Sequence, residues 1–233
     1  KTDGTEAGTM MVKDINPNGN AGINSLVGFN GMLYFGANDG INGTELWKSD
    51  GTEAGTVMVK DIGYTYYGGS GFSSDPMYLT VFGDAFYFVA ETEEAGKAQG
   101  RELWKSDGTE AGTVQVADIN NASSDSDPES FTIAGDTLYF SAKSNSLGRE
   151  LWKTDGTEAG TVLVKDIKLG QGDGSPMRMK AVGDTLYFAA RDDPTTGYGA
   201  VKLWKSDGTK AGTVPVKVIC PVSSSCPHGS QPD

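Results

Sequence analysis

The stretch Glu45-Leu-Trp-Lys-Ser-Asp-Gly-Thr-Glu-Ala-Gly-Thr-Val-Met-Val-Lys-Asp-Ile62 decides how this chain is read, because it recurs. It returns almost unchanged at 102–119 and 150–167, and in degraded form at 202–219. Its second half also opens the sequence, at 1–15. The four tryptophans, Trp47, Trp104, Trp152 and Trp204, stand 57, 48 and 52 residues apart. Self-similarity at a period of about 40–50 residues is the signature of propeller blades.

Around the motif, each repeat divides into four short apolar pieces, A to D. In the third repeat they are 130–134, 137–142, 150–153 and 161–167. Apolar residues alternate within them, as in Phe131 and Ile133, Leu138 and Phe140, Val162 and Val164. That is the period of half-buried strands, and no segment sustains a helical period. Pieces A and B are separated by Asn30-Gly31, Gly83-Asp84, Gly135-Asp136 and Gly183-Asp184. Such dipeptides reach positive φ at low cost, as tight hairpins require. The pattern predicts an all-β fold, a β-propeller of four-stranded antiparallel blades. Four blades are preferred, at about 25–62, 75–119, 129–167 and 178–219. The alternative is five blades or an arc of a larger propeller.

Pieces A, B and C occur four times, but piece D occurs five times, counting 9–15. Residues 9–15 are therefore expected to take the outer position of the last blade and close the ring. The last D piece contains Pro215, which cannot donate to a ladder, so 213–219 is expected to be displaced. One domain is expected over 1–219, followed by a tail at 220–233. In the tail Cys220 and Cys226 close a short loop and are expected to pair as a disulfide in an extracellular setting. The chain begins inside a repeat without a signal peptide, which reads as a processed terminus or a piece of something larger.

The net charge of −12 lacks the basic face that a phosphate backbone requires, so nucleic acid is excluded as a partner. No apolar run approaches the length of a membrane-spanning helix. The 33 glycines recur at fixed repeat positions and so read as turns rather than low complexity.

The repeated Glu-Leu-Trp-Lys-Ser/Thr-Asp-Gly-Thr, at 45–52, 102–109 and 150–157, with the variant at 202–209 and the headless copy at 1–5, resembles the ELWxxDGT-repeat family. These are secreted and surface proteins known chiefly from bacteria. The resemblance covers nearly the whole chain to about residue 219. It implies an extracytoplasmic location, repeat arrays within larger proteins and a propeller-like fold, but no particular activity. The Asp-Gly-Thr turn also looks like the Asp-box turn of sialidase-type propellers, which is structural. The arginine cluster those enzymes need is absent.

Asp50, Asp107, Asp155 and Asp207 are read as turn residues whose carboxylates accept backbone N–H bonds. A catalytic site is seldom copied identically into every repeat. Trp47, Trp104, Trp152 and Trp204 are read as blade packing, with each indole N–H satisfied locally. The A–B and C–D turns are nearly invariant, whereas the B–C and D–A loops differ in length and chemistry. Function sits most often on variable loops over a rigid scaffold, so a site is expected on that face.

Two features of those loops stand out. Tyr64, Tyr66, Tyr67 and Phe72 in one loop, with Tyr198 in another, have the composition of adaptable recognition surfaces and can stack on sugar faces. Asp125 and Asp127 with Glu129, and Asp192 with Asp193, are acidic clusters that suit calcium, though neither follows a known calcium-loop spacing. Asn42 and Asn121 head N-glycosylation triplets. No nucleophile–base arrangement is present, since His228 lies in the tail. The expectation is an extracellular, non-enzymatic recognition module, lectin-like and glycan-binding through the variable face. The alternative is a structural repeat unit of a surface or filament-forming protein, self-associating through the surplus D strand. A third reading is a carboxylate-based glycosidase, with two carboxylates converging from the loops.

Overall fold

The structure is a computed structural model that describes residues 1–63, 71–94, 97–120, 124–192 and 201–217. It divides into two compact units, Lys1–Gln115 and Val116–Asp233. Among the described residues every regular element is a strand, and the strands form four four-stranded antiparallel sheets. Blade 1 holds β1 (Asn24–Phe29), β2 (Met32–Asn38), β3 (Thr44–Ser49) and β4 (Val57–Lys60). Blade 2 holds β5 (Met77–Phe82), β6 (Ala85–Glu94), β7 (Lys97–Ser106) and β8 (Val114–Ala117). Blade 3 holds β9 (Glu129–Ala134), β10 (Thr137–Ser144), β11 (Gly148–Thr154) and β12 (Val162–Lys165). Blade 4 holds β13 (Met177–Val182), β14 (Thr185–Arg191), β15 (Val201–Ser206) and β16 (Val214–Lys217). Each sheet runs A-B-C-D in chain order, the meander of a propeller blade.

One expectation is corrected here. Segment 9–15 belongs to none of the four sheets, and β16 itself takes the outer position of blade 4. Pro215 stands opposite Trp204 within that pairing. An outer strand is paired on one side only, so a proline whose missing donor would face outward is tolerated there.

The hairpins follow their sequences. Asn30 and Gly31 both have positive φ, 48° and 75°, which matches the two-residue turn that Asn-Gly favours. In the other blades the first turn residue is the glycine, at φ 56–64° for Gly83, Gly135 and Gly183.

The C–D turn explains why the motif repeats so faithfully. Thr52 donates to Asp50 Oδ1 from its N–H at 2.8 Å and from its hydroxyl at 2.7 Å. Gly55 N–H donates to Thr52 Oγ1 at 2.9 Å, and Thr56 Oγ1 donates to Thr52 O at 2.6 Å. Ser49 and Thr56 hydroxyls meet at 2.7 Å, and Gly51 N–H donates to Ser49 Oγ at 3.0 Å. Gly51 adopts φ +84°, and a Cβ at Gly55 would run into the Asp50 carboxylate. Every residue in Ser-Asp-Gly-Thr-Glu-Ala-Gly-Thr except the Glu and the Ala therefore has an atomic reason. The same network recurs around Asp107, Asp155 and Asp207, and around Asp3 in the N-terminal copy.

Packing within each unit is between successive blades. In unit 1 Phe29, Tyr34, Leu46, Val59 and Ile62 of the blade 1 repeat pack on Phe86, Phe88, Ala90 and Trp104 of blade 2. In unit 2 Ala134, Tyr139, Leu151, Val164 and Ile167 pack on Met179, Leu186, Phe188, Ala190 and Trp204. Two lysines in each unit lock these contacts. Lys48 Nζ donates to Gly108 O at 3.0 Å and Lys60 Nζ to Thr113 O at 2.8 Å. Lys153 and Lys165 do the same to Gly208 O and Thr213 O at 2.9 and 2.6 Å. The tryptophans lie in or beside this packing, but their indole N–H groups have no hydrogen-bond partner among the described residues. That corrects the expectation of local satisfaction. A lysine ammonium faces the ring instead in two cases, Lys13 over Trp47 at 5.9 Å and Lys165 over Trp204 at 5.6 Å.

Candidate functional site

The variable loops are tied down by the glutamate of the Glu-Leu-Trp motif. Glu45 on β3 is fully buried beside Leu46 and Trp47. Its carboxylate accepts from Ile62 N–H at 2.8 Å, Ser74 N–H at 3.0 Å and Ser74 Oγ at 2.7 Å. Ile62 and Ser74 bracket the D–A loop that leads from blade 1 to blade 2, so one side chain pins both of its ends. Glu150 on β11 repeats the arrangement in unit 2. It accepts from Ile167 N–H at 2.7 Å and Gly174 N–H at 2.8 Å, at either end of the loop leading to blade 4. Burial pushes the Glu45 carboxyl up to about 7, and the Ser74 and Ile62 donors pull it back. Burial pushes Glu150 up to about 8 against the Ile167 and Gly174 donors. These glutamates escaped the sequence reading. The available signal was an acidic residue copied beside a Leu-Trp pair in a buried strand.

The opposite holds at the turn aspartates. The Thr52 hydroxyl and N–H hold Asp50 below the usual carboxylate range, and the Thr109 hydroxyl and N–H do so for Asp107. They are fixed acceptors at exposed turns and so poorly suited to donate a proton.

In unit 2 the loop end of blade 3 gathers a charged group. Asp127 precedes β9, Glu129 begins it, and Arg149 lies at the start of β11. The Arg149 guanidinium is 12% exposed and lies 3.2 Å from Glu129 Oε1 and 3.9 Å from Asp127 Oδ2. It also donates to Asp127 O at 2.8 Å and Ser141 O at 3.3 Å. Lys143 Nζ lies 3.6 Å from Asp127 Oδ2. Arg149 N–H donates to Asp173 Oδ1 at 2.8 Å, which joins this group to the next D–A loop. Asp127 and Glu129 keep partly exposed side chains, so an incoming molecule can reach both.

The backbone beside them is irregular in every blade. The second residue of each A strand, Ser25, Tyr78, Ser130 and Arg178, has positive φ of 51–62°. Each A–B pairing shifts register there. Bulges of this kind re-aim side chains and gather near functional sites.

Of the residues singled out by sequence, Phe72 is part-buried at the base of the blade 1 D–A loop. Tyr64, Tyr66, Tyr67, Tyr198, Asp193, Asn121, Cys220 and Cys226 lie outside the described residues. Asp125 is exposed, and its carbonyl accepts from Asn120 Nδ2 at 2.7 Å. Asp192 lies 2.6 Å from Lys202, the residue that replaces the clamp glutamate in blade 4. Asp127 and Asp192 thus face cations rather than each other. Among the described residues no group of three or more His, Cys, Asp or Glu is arranged to hold a metal ion. Asn42 Nδ2 donates to Asp39 Oδ2 at 2.8 Å. No helix among the described residues is long and apolar enough to cross a membrane.

No protein-family model and no curated protein matches the chain. Among solved structures it is similar to an endo-arabinase from Bacteroides thetaiotaomicron, at 14% identity and TM-score 0.37 over 82% of this chain and 78% of that one. It is similar to a family 117 glycoside hydrolase of Zobellia galactanivorans, at 12% identity and TM-score 0.42 over 88% and 73%. A Bacteroides ovatus xyloglucan-locus GH43 protein matches at 17% identity and TM-score 0.40 over 90% of this chain, which spans 43% of that longer one. These neighbours are named as hydrolases and not as lectins, whereas a non-enzymatic glycan-binding module was expected.

Proposed function

We propose that the chain is a carbohydrate-active hydrolase that cleaves glycosidic bonds with paired carboxylates. The observation that carries this reading is the presentation of Asp127 and Glu129, two solvent-reachable carboxylates beside one buried-stem guanidinium. Both lie within reach of the Arg149 guanidinium, Glu129 on β9 and Asp127 in the loop that leads into it. Glycoside hydrolysis needs two carboxyl groups flanking the scissile bond, one to protonate the leaving oxygen and one to attack or to activate water. Arg149 holds both in place before substrate arrives, which is what preorganisation requires. An extracellular setting, implied by the ELWxxDGT resemblance, suits a polymeric substrate.

The test is release of 4-nitrophenol from a panel of aryl glycosides, with arabino- and xylo-oligosaccharides alongside. Wild type is expected to turn over at least one substrate. Asp127→Asn and Glu129→Gln are each expected to lose it by about a hundredfold or more, within the range of general acid–base catalysis. No turnover by wild type, or full retention in both variants, overturns the reading.

A further inference from the structure

Glu150 is fully buried, and the loop it holds lies wholly among the described residues. Its carboxylate accepts from Ile167 N–H at 2.7 Å, Lys168 N–H at 3.4 Å and Gly174 N–H at 2.8 Å. All three donors belong to the chain between β12 and β13. The fit is close, because a Cβ at Gly174 would stand 2.6 Å from Glu150 Oε2.

Among the described residues no lysine or arginine forms an ion pair with Glu150. The cations of the surrounding elements are engaged elsewhere. On its own strand Arg149 turns to Asp127 and Glu129. On β10 Lys143 faces Asp127, and on β12 Lys165 reaches Thr213 O. In the loop the Lys168 stem lies against Gly172, and Asp173 accepts from Arg149 N–H. From β14 Arg191 gives its backbone N–H to Gly174 O at 2.8 Å. The charged group that acts on Glu150 is Asp166, which has the same sign. Asp166 Oδ2 accepts from Gly170 N–H at 3.3 Å, and Oδ1 is buried with no hydrogen-bond partner among the described residues.

The repeats keep these two acids together. Glu45 and Asp61, Glu102 and Asp118, and Glu150 and Asp166 each stand 16 residues apart. In the fourth repeat both are lost at once, to Lys202 and Val218. Asp61 acts on Glu45 as Asp166 does on Glu150. Joint retention and joint loss mark the two acids as one unit.

Two carboxylates in a dry site without a cation resist ionising together, since desolvation and mutual repulsion both oppose the second charge. Burial, with Asp166 adding to it, pushes the Glu150 carboxyl up to about 8 against the pull of its N–H donors. With the loop lifted, water reaches Glu150 and its ordinary value of 4.5 returns. The lifted form therefore binds fewer protons, and rising pH favours it.

We propose that Glu150 and Asp166 form a proton-operated latch on the loop 167–175, which is held down while the pair carries a proton and lifts when that proton is lost. The loop bonds the Arg149 main chain twice, through Asp173 Oδ1 to its N–H at 2.8 Å and through Ser175 N–H to its carbonyl at 3.1 Å. Lifting it frees the residue whose guanidinium holds Asp127 and Glu129. That consequence for hydrolysis rests on the function proposed above, whereas the latch itself does not.

The test is amide hydrogen exchange at pH 6 and pH 9, with rates corrected for the intrinsic effect of pH, in the full chain and in Glu150→Gln and Asp166→Asn. In wild type the protection of the Ile167, Lys168 and Gly174 amides is expected to fall by about tenfold or more between the two values, while β10 and β11 amides of the same blade keep theirs. Glu150→Gln cannot ionise and is expected to abolish the fall. Asp166→Asn removes the like charge and is expected to shrink it. Exchange needs no substrate, so a failed latch and a failed hydrolase reading are told apart. Unchanged loop protection in wild type overturns the proposal, as does a fall shared equally by β10 and β11. A fall of full size in both variants overturns it too.

Discussion

Ser74 is bonded twice to Glu45, through its N–H at 3.0 Å and its hydroxyl at 2.7 Å, across 29 residues of chain. A fully buried carboxylate thus sits where a loop leaves one blade and enters the next. The charge is not there for reaction chemistry. Its donors are mostly backbone groups that would otherwise be buried without acceptors.

Removing that acceptor should be costly. Glu45→Ala leaves the N–H groups of Ile62 and Ser74 without their partner in a dry site. It is expected to destabilise unit 1 by about 3 kcal/mol, the order for stranding buried donors of a charged hydrogen-bond group. Urea denaturation followed by tryptophan fluorescence measures this. A loss below about 1 kcal/mol would show that water replaces the carboxylate.

The raised carboxyls also set a pH dependence. Unfolded, Glu45 and Glu150 titrate near the ordinary glutamate value of 4.5, whereas folded they titrate at about 7 and about 8. Between those limits the folded state holds more protons, so these two groups make stability fall as pH rises from about 4.5 through 7 to 8. The turn aspartates are depressed and act in the other direction, losing stability as pH falls through the carboxylate range. A melting temperature that declines from mildly acid to neutral pH is expected, and Glu45→Gln should flatten that decline. A slope unchanged by both Glu45→Gln and Glu150→Gln would refute the assignment.

Gly112 is a third point of leverage. A Cβ there would collide with the Asp107 carboxylate, so Gly112→Ala should destabilise by about 1–3 kcal/mol through overpacking. Because the strain is between these two residues, Asp107→Ala combined with Gly112→Ala should cost less than the two single changes added together. Simple additivity in denaturant titrations would place the strain elsewhere.

Lys165 tests the lock between blades. It donates to Thr213 O at 2.6 Å and stands 5.6 Å from the centroid of Trp204. Lys165→Met keeps most of the stem and loses both contacts, for an expected cost of about 2 kcal/mol. Lys210→Met, on an exposed turn, should cost less than about 0.5 kcal/mol. Equal effects from the two substitutions would remove the lock.

Arg149→Lys bears on the proposed hydrolysis. A lysine keeps the charge but cannot reach both carboxylates with a planar fork. Turnover should fall by about tenfold or more through misplacement of Asp127 and Glu129, with the melting temperature little changed. Wild-type turnover in the variant would free Arg149 of any positioning role.

Local chemistry was fully written in the repeat. Alternating apolar residues, glycine hairpins and Ser-Asp-Gly-Thr-x-x-Gly-Thr turns specify strands and turns through contacts only a few residues apart, so they can be read without coordinates. That is why the sixteen strands and the turn role of Asp50 and Asp107 were legible. Equivalences that span the chain were not. That β16 keeps its place despite Pro215, while 9–15 joins no sheet, depends on which segment wins an outer edge. The grouping of Asp127, Glu129 and Arg149, and the reach of Glu45 to Ser74, unite residues about 20 to 30 positions apart, whose meeting depends on how loops return to the sheet. The repeat determined every blade; only the packed structure decided which carboxylates are buried clamps and which are open to solvent, because burial is a property of neighbours and not of the local sequence.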